Sequence, residues 1–135
     1  MKQPEIEGRR WLAQARDDLA FAEWVLGEGR FFDKGCFASQ QAAEKALKAV
    51  LYAHGARVVL GHSVADLLDR LLIQHPELSD LSEGARLLDR FYIPTRYPNG
   101  LPAGAPCESF RREDLESATK LAREIVDAAG GVLEH

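Results

Sequence analysis

The chain has 135 residues, enough for one domain that buries roughly two-thirds of its unfolded surface. Hydrophobic residues make up 46% and the formal net charge is −4, which argues against disorder and against broad electrostatic capture of nucleic acid. No apolar run nears the ~18 residues of a membrane span, the polar start Met1-Lys2-Gln3-Pro4-Glu5 is no secretory signal, and Cys36 and Cys107 match no zinc or redox spacing, so a cytoplasmic protein without membrane contact is expected.

The pattern predicts an all-α protein, an up-and-down bundle of four or five helices with a long Pro/Gly loop before the last one. A single domain is expected over residues 1–132. Leu133-Glu134-His135 resembles the start of an expression-tag remnant and is set aside.

Helix 1 is predicted over about Arg9–Gly27. At ~100° per residue, Trp11, Leu12, Ala15, Leu19, Ala22, Val25 and Leu26 share one face. Asp18 lies at the edge of that face. Phe21 and Trp24 lie off it, which implies a second buried surface, a loop over them or a symmetric partner. Gly27 and Gly29 are expected to stop the helix.

Helix 2, about Asp33–Ala53, is apolar around most of its circumference, with Cys36, Leu47, Val50, Leu51 and six alanines. Such a helix is buried among several neighbours. Its polar sector is a strip of Gln41, Glu44, Lys45 and Lys48, with Phe37 on the same strip. The strip is either a solvated stripe with a Glu44–Lys48 pair in the favourable i, i+4 order, or the wall of a pocket or partner surface. Asp18 is either a boundary acid bonded to a neighbouring helix or a member of the same polar groove as Lys45 or Lys48.

Ser63-Val64-Ala65-Asp66 resembles a capping box and opens helix 3, which buries Val64, Leu67, Leu68, Leu71 and Leu72 and ends before Pro76. Helix 4 is predicted over about Ser79–Ile93, ended by Pro94. Helix 5 is predicted over about Ser109–Ala129, ended by Gly130-Gly131.

Between the last two helices, residues 94–107 hold four of the six prolines, one every fourth position. Proline forbids a helix interior, so this stretch is read as non-helical. Long loops in small domains tend to be functional or disordered. This one sets Arg96, an anion-binding group, beside Tyr97, a stacking group. Either the pair orders the loop, with Arg96 bonded to an acid, or Arg96 receives a phosphate bidentately. His54, His62 and His75 lie on different elements without ligand spacing, so no metal is expected. No nucleophile elbow and no glycine-rich phosphate loop is present.

Three segments together carry a family resemblance: Cys36-Phe37-Ala38-Ser39-Gln40-Gln41-Ala42-Ala43-Glu44-Lys45-Ala46-Leu47-Lys48, Gly61-His62-Ser63 and Thr95-Arg96-Tyr97-Pro98. In this order and separation the chain resembles the HEPN (higher eukaryotes and prokaryotes nucleotide-binding) domain family from about Trp11 to Ala129. The resemblance implies a helical bundle that usually dimerises. It implies nucleotide binding without a cofactor, often beside a minimal nucleotidyltransferase in a toxin–antitoxin-like pair. Arg96, Tyr97, Lys45, Lys48, Gln41, Glu44 and Asp18 are then the candidate nucleotide or anion ligands. The resemblance also implies metal-independent RNA cleavage, which in toxin members pairs an arginine with a histidine four to six residues on. Here Arg96 is followed by no histidine before His135. The isolated chain is therefore expected to be an inefficient ribonuclease. The alternatives are a ribonuclease using Arg96 and Tyr97 with His62, and a structural dimerisation adaptor.

Overall fold

A computed structural model describes residues 3–134, and within them the chain is helical with no strand. Helix α1 spans Pro4–Glu28. It starts a turn earlier than the hydrophobic pattern because Pro4 sits in the first turn, where no backbone N–H is needed, with Glu5 and Glu7 facing the positive helix end. Gly27 continues the helix. Gly29 ends it in the left-handed conformation, donating its N–H to Val25 and Leu26 carbonyls.

Only residues 29–31 separate α1 from α2, Phe32–Ala53, so the two helices run antiparallel. Phe31 adopts φ 61°, ψ 43°, a conformation that disfavours a bulky residue. Ala42, Ala43, Ala46 and Ala49 are fully buried, as a helix enclosed by neighbours requires. The small residues set the spacing. A Cβ on Gly8 of α1 would fall 2.8 Å from the Ala53 Cβ, and one on Gly35 of α2 only 2.7 Å from a Leu115 methyl. Those two glycines let α2 lie close to α1 on one side and to the last helix on the other.

Helix α3 spans Val64–Leu71 and α4 spans Ser82–Asp89; they pack on each other and against α2. Ser63 caps α3, its Oγ accepting from the Asp66 N–H. Asp66 does not complete a capping box, because it is drawn to Arg70 at 2.7 Å. Asp89, at the end of α4, takes the second half of that role. It accepts from Ser63 Oγ and from the Val64 and Ala65 N–H groups. The predicted helix 4 is split: Pro76–Leu81 is a 3-10 helix, and α4 stops at Asp89, four residues short.

The stretch after α4 is not structureless. Pro98–Gly100 forms a 3-10 turn and Pro106–Ser109 forms the short helix α5. Each starts with a proline in its first turn, the one helical place where proline costs nothing. Helix α6 spans Arg112–Leu133 and packs on α1 and α2. It runs straight through Gly130 and Gly131, against expectation. Gly130 is where the Arg16 guanidinium crosses, 2.6 Å from where a Cβ would be, and Arg16 grips Glu134 with both Nη groups. Of the three residues set aside from the sequence, Leu133 ends α6, Glu134 makes this bridge, and His135 lies outside the described residues. Among the described residues, no helix is long and apolar enough to cross a membrane.

Candidate functional site

Arg96 is built into a turn rather than dangling from a loop. The Ile93 carbonyl accepts from both the Arg96 and Tyr97 N–H groups. Thr95, buried, donates its hydroxyl to the Phe91 carbonyl. Arg96 Nε donates to the Tyr92 carbonyl at 2.8 Å, which fixes the plane of the guanidinium. That plane is held among three rings, its central carbon 4.4 Å from the Tyr92 centroid, 4.5 Å from Phe37 and 5.1 Å from Tyr97. Cation–π contacts of this kind contribute about 0.5–2 kcal/mol each. No carboxylate pairs with Arg96 among the described residues, so its terminal nitrogens remain available.

A cavity of about 640 Å³ opens beside this guanidinium, within the range of small-molecule sites. It lies where α1, α2, the Thr95–Pro98 turn and α5 meet. Arg96, Lys45, Gln41 and Asp18 all line it. Lys45 Nζ donates to Asp18 at 2.7 Å, and Lys34 Nζ to Asp33 at 2.8 Å. Three cations and two carboxylates therefore face the space, and the uncompensated charge is that of Arg96. Phe21, Phe37, Ala38, Pro98 and Pro106 supply apolar wall. Tyr97 is exposed beside Arg96 but outside the wall itself.

Glu44 and Lys48 are placed differently. Their side chains are 4% and 8% exposed, and they pair at 3.0 Å beneath the surface, away from the cavity. The polar strip of α2 is thus no solvated stripe. Glu44 also accepts from Gln40, Gln41 and His62, the last through Nδ1 at 3.2 Å. The exposed His62 ring stacks on Tyr92 with centroids 4.9 Å apart, so Arg96 and His62 share one aromatic neighbour.

Sequence reasoning gave no site role to Asp33, Lys34, Thr95, Pro106 or Cys107 of the wall, nor to Tyr92, which packs on the guanidinium without lining the cavity. Tyr92 had a signal, since it precedes Arg96 by one helical turn. Cys36 is a core thiol. Burial, with help from Asp114 and Asp33, pushes it up to about 12, whereas Cys107 is exposed at the cavity. His54 and His75 occupy helix-end positions and meet Nε2 to Nε2 at 2.8 Å. No group of three metal-ligating side chains forms among the described residues. Phe21 and Trp24 stack on each other at 6.3 Å but are 47% and 61% exposed; among the described residues no loop covers them.

The bundle and the sequence together define a family. The HEPN domain model matches residues 9–132, and the chain belongs to the HEPN family. Solved structures agree. TT1696 from Thermus thermophilus is 43% identical, with a TM-score of 0.86 over 93% of this chain and 97% of that one. An archaeal HEPN homologue is 33% identical, with a TM-score of 0.77 over 98% and 99%. A HEPN domain protein from Thermotoga maritima is 33% identical, with a TM-score of 0.72 over 93% and 98%. No match was found among curated proteins.

Proposed function

We propose that the chain binds a nucleotide in the Arg96 cavity and works as one half of a two-protein, toxin–antitoxin-like module with a minimal nucleotidyltransferase. One observation carries the binding half of this reading: a guanidinium fixed among three rings, with no carboxylate partner, at the edge of a cavity of ligand size. Its terminal nitrogens match a phosphate bidentately. Lys45 keeps two N–H donors beyond the one given to Asp18, and Tyr97 offers an exposed ring for a base. Calorimetry with AMP and ATP at fixed salt tests it: Arg96→Ala is expected to weaken binding at least tenfold, and equal affinities remove Arg96 from the site. The partnership is tested by co-expression with a small nucleotidyltransferase encoded beside the gene. Failure to co-elute rejects it.

One observation favours a second reading, a metal-independent ribonuclease. Glu44 orients His62 through Nδ1, which leaves Nε2 for proton transfer, and His62 and Arg96 both pack on the Tyr92 ring. Robust cleavage of RNA by tag-free protein without metal, abolished by both His62→Ala and Arg96→Ala, would promote this reading over the first. The exposed Phe21–Trp24 pair supports a homodimer, and a monomer by light scattering at micromolar concentration rejects that. A chain that dimerises but neither binds nucleotide nor cleaves RNA is a structural adaptor.

A further inference from the structure

Lys45 lines not one concavity but two. On the far side of the Lys45–Asp18 pair lies a second groove of about 600 Å³ along α1, walled by Glu7, Arg10, Trp11, Ala13, Gln14 and Lys45. The divide between the two is a short polar ridge. Lys45 Nζ donates to Asp18 Oδ2 at 2.7 Å, and Gln14 Nε2 donates to Asp18 Oδ1 at 3.1 Å. Gln14 faces the second groove and Asp18 the first, so one carboxylate joins both walls.

The second groove has the chemistry of a base subsite. Trp11 is half-buried, its ring stacked on Tyr52 with centroids 5.1 Å apart, Lys48 Nζ 5.8 Å from its centroid, and its indole N–H committed to Glu7. A braced indole is a rigid stacking platform. Arg10 is mostly exposed and spends one donor on Glu7, while Gln14 keeps its carbonyl and one amide hydrogen for a base edge or a ribose hydroxyl. Lys45 borders both grooves, so a ligand that lies across the ridge meets its charge between its two halves.

We propose that the ligand is a two-unit nucleotide, two nucleosides joined through phosphate, with one unit in the Arg96 cavity, the linking phosphate at Lys45 and the second unit on Trp11, Gln14 and Arg10. This rests on the reading of the Arg96 cavity as a nucleotide site and goes beyond it in naming the ligand's second half. A subsite of this kind converts a second binding event into an intramolecular one, which raises affinity without altering the first site.

The experiment compares single and double units on the full chain by calorimetry at fixed salt. AMP and UMP are the single units. The 3′–5′ linked dinucleotides pApA and pUpU and the 5′–5′ linked diadenosine diphosphate are the double ones, which separates a polynucleotide source from a free dinucleotide. At least one double unit is expected to bind tenfold or more tighter than its single unit. Arg10→Glu and Gln14→Ala, both exposed and off the Arg96 cavity, are expected to erase that gain and leave single-unit affinity within twofold. Arg96→Ala is expected to weaken both. Single-unit binding with no gain for any double unit, or a gain that survives both groove substitutions, overturns the second subsite and leaves the Arg96 site standing. No binding of either kind by the unaltered chain overturns both.

Discussion

Lys45 and Lys48 sit one turn apart on the same helix strip and have opposite surroundings. Lys48 is enclosed, and its partner Glu44 comes from its own helix. Lys45 keeps 24% of its side chain exposed and takes its partner, Asp18, from α1 across the edge of the cavity. A buried ion pair that loses one member leaves an uncompensated charge in low dielectric. A half-open pair can exchange its partner for a ligand at little cost. The same residue type on the same face is therefore a structural fastening at one position and an adjustable donor at the next, and the neighbouring helices decide which.

The largest effect expected from this contrast is on stability. Glu44→Ala strands Lys48 and removes the acceptor shared by Gln40, Gln41 and His62, so a loss of about 3–5 kcal/mol is expected in urea denaturation. The double substitution Glu44→Leu with Lys48→Met should recover a large part of that loss. A single substitution costing under ~1 kcal/mol would place the Glu44 pair in the same class as exposed ones.

The next effect is on binding. Lys45→Ala should cost less than ~1 kcal/mol of stability, yet lower nucleotide affinity about tenfold in the calorimetric assay, equivalent to about 1.4 kcal/mol. Lys48→Met should leave affinity unchanged in whatever fraction folds. Equal effects of the two substitutions on affinity would erase the distinction.

The smallest effect concerns the C-terminal end of α2. Burial and the neighbouring His75 hold His54 below the ordinary histidine range, while Glu77 lies 3.3 Å from the other nitrogen of His75. In the unfolded chain His54 titrates near 6.5. Below that pH the unfolded state takes up a proton that the folded state resists, so stability held above about pH 6.5 falls as the solution is acidified. His54→Asn should flatten that part of the stability profile, read by thermal melts from pH 5 to 8. An unchanged slope would show that the histidine pair is inert.

The fold was largely readable because helix periodicity is a local property. The apolar circumference of α2 states that neighbours surround it, and Leu115, Ala118, Ala122, Ile125 and Val126 of α6 are buried as their spacing requires. Local readings failed where a distant residue intervened. Asp89, from 26 positions away, takes the role expected of Asp66 at the start of α3, whose Ser63 cap stands as expected. Arg16 crosses Gly130 and lets α6 continue through a glycine pair. The proline-rich stretch was misread because periodic prolines exclude helix interiors but are compatible with a series of first turns. For the site, spacing put Gln41, Glu44, Lys45 and Lys48 on one strip. It could not divide them, since which members are enclosed depends on α1 and on the segment before α3. That Arg96 has rings for neighbours instead of a carboxylate is equally a property of three elements at once.

The glycine pair near the end of α6 has a dynamic consequence. Each glycine disfavours helix by roughly 0.8–1.0 kcal/mol relative to alanine, and beyond Gly130 the turn is held by the partly buried Val132 and Leu133 and by the solvent-exposed Arg16–Glu134 bridge. The final turn therefore has a small free energy of opening, independent of global unfolding. Its backbone amides should exchange with deuterated solvent long before those around Ile125, and faster still at high salt, where the bridge is screened.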